Sequence, residues 1–529
     1  MYKFLNYYNS LCSGLNNSAV FAHDPYITAI RELLVFELQQ VVYYIEKLKD
    51  FDVDMKKYTD KVIEFISILI VNLDFQKESF FVITKDLYEN KKALEQLYIS
   101  ACKENNIKPE LLTETNLSSR ENILRALNDR ELNAKNNSVQ KVDNGRKNLY
   151  EIIINLVLNA CNCLIELKNY SIDFSEAKDQ VLKLLNSSNI PSLNQEDLIK
   201  TIKDFSKCNY KIMQKLYSAE NQKYGPSTSC QVEIGEKAGK CILVSGSSLI
   251  DLEKILIAAE KFNINVYTHY EMLNAFKFKK LAKFSNLACH YKNSDNNFSV
   301  DFASFPGPIY ISGDFTNKAD VIRGQIYTTA KYPPFGIAHL EKNDFAPLIE
   351  YALKSTGFDK DKISNILSVG CSEFEFSSKL TEIDEKIQQN KIEKIFIIGQ
   401  SEYLNKPTDY LKNFINQNND NALTLVFADI EVPTSDFLLK VNSFFDFSML
   451  YKIIEHLTSK FDIKEKIGIY FTDCNSETAS HIFNLLHLGV KNIFIGICCP
   501  ELIKPALSDG LFKFFEIKKL SSPQNDVKF

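Results

Sequence analysis

Residues 240–275 read KCILVSGSSLIDLEKILIAAEKFNINVYTHYEMLNA, and this stretch decides the fold. Ile242, Leu243 and Val244 form a short apolar run that stops at Ser245-Gly246-Ser247-Ser248. Glycine marks a tight turn there, and Ser248 with Asp251 three residues on predicts a capped helix start. Leu252, Ile255, Leu256, Ala259 and Phe262 then fall at helical spacing and predict one apolar face. Asn263-Ile264-Asn265-Val266-Tyr267 returns to strand texture and ends at Thr268-His269-Tyr270-Glu271. Strand, crossover helix and second strand in this order make a right-handed parallel unit. Ligands of such units sit at the carboxyl ends of the strands, here the Gly246 turn and the Thr268–Glu271 segment.

Upstream the texture is different. Asp24-Pro25 predicts a helix start, with aspartate as cap and proline in the first turn. Ile27, Ile30, Leu34, Leu38, Val41, Ile45 and Leu48 follow by threes and fours, the pattern of a bundle seam. Further helical patterns fall at 56–74, 85–105, 119–132, 147–169, 174–187 and 195–217, whereas polar runs within 106–146, such as Asn133–Asn137, read as connections and exposed faces. Strand-like alternation begins only near residue 230, after the turn-rich Tyr224-Gly225-Pro226-Ser227-Thr228-Ser229.

Downstream, strands are expected at Lys394–Ile398, Leu423–Ala428, Ile467–Phe471 and Asn492–Ile497, with helices near 376–390, 448–460 and 476–488. Gly489 stands where a helix C-terminal cap is expected. The expected architecture is multidomain, α followed by α/β. A helical bundle (1–225) precedes two Rossmann-like, doubly wound parallel-sheet domains (230–365 and 366–529).

Composition bounds the partners. At 529 residues with 45% apolar and 24% charged residues, the chain is an ordinary globular one of about two to four domains. A net charge of −5 over this length makes no basic face for nucleic acid. The N-terminus has no signal-peptide core, and the greasiest run, Val62–Leu73, falls short of the ~20 residues of a membrane span. A cytoplasmic protein is expected, without nucleic-acid or membrane partners, alone or assembled as a homo-oligomer or with another protein. The twelve cysteines include no C-x-x-C pair, so free buried thiols are expected rather than a metal clip.

The runs VSGSSLIDLEKIL and INVYTHYEML also carry a resemblance. With FAHDPYITAIRELLVFELQ (21–39), FPGPIYIS (305–312), EKIFIIG (393–399) and NLLHLGVKNIFIG (484–496), they are similar to the hybrid-cluster, or prismane, proteins, also called hydroxylamine reductases. The resemblance is collinear over nearly the whole chain and implies the same three-domain architecture. It also implies a [4Fe-4S] cubane on four N-terminal cysteines and a hybrid iron–sulfur–oxygen cluster between the domains. That second cluster is held by cysteines, a histidine and glutamates.

The ligand positions that the resemblance assigns are nearly all changed. The cubane positions hold Lys3, Asn6, Leu15 and Phe21, with Cys12 the one thiol in the first hundred residues. The hybrid-cluster histidine position holds Ser247, and its cysteine positions hold Phe315, Gln400, Phe427 and Phe444. A glutamate position holds Asn475 and the lysine after it Glu477; Glu271 alone is of the expected type. Iron needs thiolates, which carbon side chains cannot replace. A void would cost about 24 cal/mol per Å3, so the three phenylalanines are expected to fill the cluster space.

No cofactor is therefore expected, and the lead function is a cluster-free pseudoenzyme with a structural, regulatory or partner-binding role. Two alternatives stand beside it. One is an oxidoreductase reducing hydroxylamine to ammonia, or nitric oxide, at iron held by other ligands such as Cys371, Cys474 and Glu271. The other is a metal or small-ligand binder in the inter-domain cleft. Its candidate residues are Ser247, Glu271, Asp314, Gln400, Asn475 and Glu477, with Asp446, Asp473 and His269 nearby, because converging carboxylates suit hard cations.

Overall fold

A computed structural model describes residues 25–528 apart from 72–76, 113–114, 138–143, 188–192, 292–297, 313–324, 332, 334–336, 342–343, 390–391, 400–408, 418–420, 429–434, 436, 443–445, 473–475 and 497–504. Two compact units are present. A helical unit ends at Met213 and takes in a later stretch ending at Gly510; the second begins at Gln214 and resumes at Leu511.

Seven helices precede any described strand. They are α1 (Pro25–Lys49), α2 (Lys56–Val71), α3 (Lys77–Glu104), α4 (Arg120–Asn137), α5 (Asn144–Asn169), α6 (Ser175–Ser187) and α7 (Gln195–Tyr224). On α1, Ile30, Leu34, Leu38, Val41, Ile45 and Leu48 are buried as their spacing predicts. Leu33, Val35 and Val42 are buried too, so α1 is apolar on more than one side and packs against α2, α3, α4 and α6. Its one buried charge, Glu37, is met by Lys91 of α3 at 2.8 Å. The polar run 133–137 is helical rather than a connection, because α4 continues to Asn137. Of the described helices, α5 is the one long and apolar enough to cross a membrane. Most of that apolar stretch is buried, and α2 and α6 pack on it, as for a core helix.

The second unit carries two sheets. The first is built from β1 (Cys230–Glu236), β2 (Cys241–Ser245), α8 (Leu249–Glu260), β3 (Asn265–His269), a 3-10 segment (Tyr270–Lys277), α9 (Lys279–Ala282), β4 (Leu287–His290), α10 (Phe298–Ser304), β5 (Ile309–Ile311), β6 (Ile326–Thr328), β7 (Ala338–His339), α11 (Ala346–Lys354) and β8 (Lys362–Val369). Its strand order is β7-β6-β5-β2-β3-β4-β1-β8. The first seven strands in that order pair in parallel, and β8 closes the sheet antiparallel to β1.

The second sheet follows α12 (Glu373–Gln388). It comprises β9 (Lys394–Gly399), α13 (Asp409–Asn416), β10 (Ala422–Phe427), β11 (Leu438–Asn442), α14 (Phe447–Lys460), β12 (Ile467–Phe471), α15 (Ser476–His487), β13 (Asn492–Ile495), α16 (Pro505–Phe514), β14 (Lys518–Lys519) and α17 (Pro523–Asp526). The order is β11-β10-β9-β12-β13-β14, parallel throughout. Both sheets are doubly wound. Chain direction across the sheet reverses between β2 and β5 in the first and between β9 and β12 in the second.

Two further local expectations fail. Phe262 is 51% exposed, because α8 stops at Glu260 and the chain turns at Asn263 (φ +53°). Ser248 is the N-cap residue of α8 but makes no side-chain capping bond. Asp251 is taken instead by the Tyr310 hydroxyl, with Lys254 near it. The strands β8, β11 and β14 are additional to those expected; in β8 only Leu367 and Val369 are buried, so most of its length faces solvent.

Leu38 is fully buried at the centre of the bundle. Leu38→Ala is expected to cost about 2–5 kcal/mol in urea unfolding, with an unchanged m-value.

Candidate functional site

The turn after β2 is set by backbone crowding. Gly246 has φ +121°, and a Cβ there would lie 1.8 Å from Ser312 Oγ, so no larger residue fits. Ser312 follows β5, is 1% exposed, and its Oγ accepts a hydrogen bond from the Ser247 amide at 3.1 Å. Ser247 itself is exposed. The site residue thus stands at the point where strand order reverses, the place where ligands of doubly wound sheets bind.

Glu271 follows the neighbouring strand. Ser245 of β2 pairs with His269 of β3, so Ser247 and Glu271 leave adjacent strand ends. Tyr270 between them has φ +58°, an unusual conformation for a bulky residue, and its ring is buried. Such a strained turn is held by what lies around it. Below it, Ser245 Oγ lies 2.9 Å from His269 Nδ1, and His269 Nε2 lies 3.5 Å from Asp301 Oδ2. Thr268 Oγ1 lies 2.8 Å from His290 Nδ1, and the two imidazoles are parallel at 6.4 Å. Burial, then His269, push His290 well below the usual histidine range, so it is neutral. Serine, histidine and aspartate in a row resemble an acyl-transfer set. Ser245 is only 1% exposed, however, so this network fixes the strand ends instead of meeting a substrate.

The second sheet repeats the crowding. A Cβ on Gly399 would lie 2.2 Å from the Phe427 carbonyl oxygen and 2.7 Å from Phe427 Cβ. Phe427 is fully buried at the end of β10, so here a phenylalanine does pack where the resemblance expects a thiolate. Thr472 donates from both its amide and hydroxyl to the Gly399 carbonyl, at 2.9 and 3.0 Å. Gln400 and Asp473 directly follow Gly399 and Thr472 in sequence. Gln400, Asp314, Asp473, Asn475, Phe315 and Phe444 lie outside the described residues, as do Cys12, Cys474, Cys498, Cys499 and the side chain of Glu477.

Asp446 corrects the carboxylate-cleft expectation. It caps α14, its Oδ1 accepting from the Ser448 and Met449 amides at 3.1 and 3.3 Å. Its Oδ2 accepts from Lys277 Nζ at 2.8 Å, both side chains being under 10% exposed. Burial works to raise the Asp446 carboxyl, but the ammonium and these donors outweigh it and hold it below the usual range. Both oxygens are therefore engaged by the protein. Lys277 escapes notice in sequence, although its position among Met272, Leu273, Ala275 and Phe278 marks an enclosed charge.

The described thiols suit packing better than ligation. Cys102, Cys161, Cys163, Cys208, Cys230, Cys241, Cys289 and Cys371 are free and buried or half-buried. Burial pushes Cys208, Cys230 and Cys289 up to about 11, Cys241 up to about 12, and raises Cys371. Iron binds thiolate, which such surroundings disfavour. Among the described residues, no three His, Cys, Asp or Glu side chains are grouped to hold a metal.

The chain belongs to the family described as Prismane/CO dehydrogenase, matched over residues 22–428. It is similar to the hydroxylamine reductases of Salmonella typhi and Salmonella typhimurium (strain LT2). Each is 28% identical over 351 residues, 63% of this chain and 63% of the relative, so the match spans less than two thirds of either relative's length. Its shape is also similar to Carbon Monoxide Dehydrogenase IV from Carboxydothermus hydrogenoformans, with a TM-score of 0.47, 12% identity and coverage of 95% of this chain and 86% of that one. A further similarity, again at TM-score 0.47, is to alpha subunits of acetyl-CoA synthase/carbon monoxide dehydrogenase with NiZn[Fe4S4] and NiNi[Fe4S4] clusters (10% identity, 95% and 81% coverage).

Family membership overturns the expectation of no cofactor. Iron–sulfur clusters are what the resemblance to this family implies, so that expectation does not stand for a member of it. Of the three described ligand positions, Glu271 keeps the expected type, whereas the other two do not fit such a cluster in the family's manner. Ser247 offers a hydroxyl in place of an imidazole, and Phe427 is a buried ring.

Two substitutions test this geometry. Gly246→Ala combines a disfavoured φ with a clash and is expected to cost more than the ~1–3 kcal/mol of backbone strain alone, read by thermal unfolding. Lys277→Met leaves the Asp446 charge buried and is expected to cost about 3–5 kcal/mol by the same measurement.

Proposed function

We propose that this chain is a hydroxylamine reductase-like protein that does not itself reduce hydroxylamine, and that it serves a structural, regulatory or partner-binding role. The observation carrying this reading is Phe427. Its ring is fully buried and its backbone is pressed against Gly399, so the position assigned to a thiolate is occupied by core packing. Asp446, bound to Lys277 and to the start of α14, withdraws a further carboxylate from the strand-end region. A partner-binding role is supported by β8. It ends its sheet, and its residues Ile363 and Ile366 are 41% and 55% exposed. We place the protein in the cytoplasm, without nucleic-acid or membrane partners.

A second reading rests on Glu271, the ligand type retained at the Tyr270 turn. In that reading the protein is an oxidoreductase whose iron is held by unusual ligands, including Glu271 and Cys371. One experiment separates the two. Protein purified without oxygen is assayed for hydroxylamine-dependent oxidation of reduced methyl viologen, with iron and acid-labile sulfide measured on the same sample. No rate above the protein-free control is expected. Steady turnover with ammonia as product overturns the proposal. If that turnover falls in Glu271→Gln and Cys371→Ser, the second reading holds.

A further inference from the structure

The edge of the first sheet formed by β8 (Lys362–Val369) is of a kind that attracts a further strand. Among the described residues β8 pairs only with β1, and its Ile363 and Ile366 are 41% and 55% exposed. Edge strands are commonly blunted by charge or proline, but β8 has one charge, Lys362 at its start, and no proline. Its protection lies in the backbone instead.

The direction of each β8 peptide group follows from the neighbouring ladders. The Tyr291 amide, just past β4, donates to the Thr268 carbonyl of β3 at 2.8 Å. Peptide groups alternate sides along a strand, so His290 of β4 faces β1, where it is in register with Ile234. In a parallel pair His290 then bonds with residues 233 and 235, which leaves Ile234 to face β8. Ile234 is opposite Asn365, and Glu233 is opposite Ile366. The Asn365 backbone therefore bonds to β1, and the Ile366 N–H and C=O point away from the sheet, toward any strand that would be added.

Two features close that edge. The Ile366 amide donates to Asn365 Oδ1 at 2.8 Å, so the preceding side chain occupies a donor that an added strand needs. Just before it the ladder is irregular: Ile234 is opposite Asn365 but Gly235 is opposite Ile363, so Ser364 is an extra residue on β8. The Ser364 hydroxyl donates to the Ile234 carbonyl at 3.0 Å and pins this bulge to β1. Gly235 permits the close approach, since a Cβ there would lie 2.3 Å from the Lys362 carbonyl oxygen. A regular strand laid along β8 would meet a break in spacing at Ser364 and an occupied amide at Ile366. We propose that the Ser364 bulge and the Asn365 side chain form an edge guard, which keeps β8 from pairing with the β8 of a second copy of this chain. A second copy is the strand to be excluded, because antiparallel pairing about a two-fold axis at Ile366 would set the two exposed Ile366 side chains together and keep the two Lys362 charges apart. A partner meeting β8 would then do so through the Ile363 and Ile366 side chains and not by strand addition. The guard is independent of whether the chain reduces hydroxylamine.

Sedimentation velocity on the full chain tests the guard. Asn365 is exposed, so Asn365→Ala frees the Ile366 amide without disturbing the core. Two-fold pairing would use that amide twice, so self-association of the variant is expected to be about ten- to a hundredfold tighter than that of the unmodified chain. Hydrogen exchange of the Ile366 amide, read in dilute solution where the variant is monomeric, is expected to be about tenfold faster in Asn365→Ala. Asn365→Asp keeps an acceptor at the same place and is expected to sediment as the unmodified chain does. Sedimentation of Asn365→Ala that matches the unmodified chain at every concentration overturns the proposal. So does an Ile366 amide that exchanges at the same rate in both.

Discussion

Backbone crowding at the carboxyl ends of the central strands sets everything around the candidate site. Ser312 presses on Gly246 in the first sheet, and Phe427 presses on Gly399 in the second. Both contacts lie at a reversal of strand order, where two crossovers leave the sheet in opposite directions and open a crevice above it. A side chain at either glycine would push the neighbouring strand end away, and at Gly246 the Ser247 turn with it. The same geometry that could expose a ligand site is here maintained in a chain whose neighbouring side chains are changed.

What stands beside those strand ends is a mixture of packed aromatics and paired charge. Phe427 buries its ring at one end, and Lys277 spends its charge on Asp446 at another. Neither is spare. A buried ion pair of this kind adds little stability beyond what a well-packed apolar pair would give, yet removing either partner is costly. Its contribution is specificity: Asp446 Oδ1 can start α14 while Oδ2 holds the 3-10 segment only when both segments are correctly placed. The Ser245–His269–Asp301 row acts in the same way beneath Tyr270, fixing a strained turn with enclosed polar contacts.

Fold class was legible because it depends on local periodicity. Leu252, Ile255, Leu256 and Ala259 are fully buried on α8, and the α1 seam is buried from Ile30 to Leu48. Gly489 follows α15 at φ +88°, the conformation expected of a C-terminal cap. The site was legible only in part. Ser247 and Glu271 could be placed on adjacent strand ends, since a parallel unit puts its turns there. Lys277 could not, because its meeting with Asp446 joins segments far apart in sequence. The inference from missing thiolates to a missing cofactor also went too far, because membership in a family associated with iron–sulfur clusters stands against it.

By itself, the sequence determined the helical start, the two α/β parts and the family, through patterns of a few residues repeated in order. Tertiary structure alone decided that β8 closes the first sheet antiparallel, that Phe262 lies outside the core, and that Asp446 serves Lys277 instead of a cation. Periodicity reports which face of a segment avoids water. Which charge meets which, and which strand pairs last, are set by contacts between distant segments, and those exist only once the chain has folded.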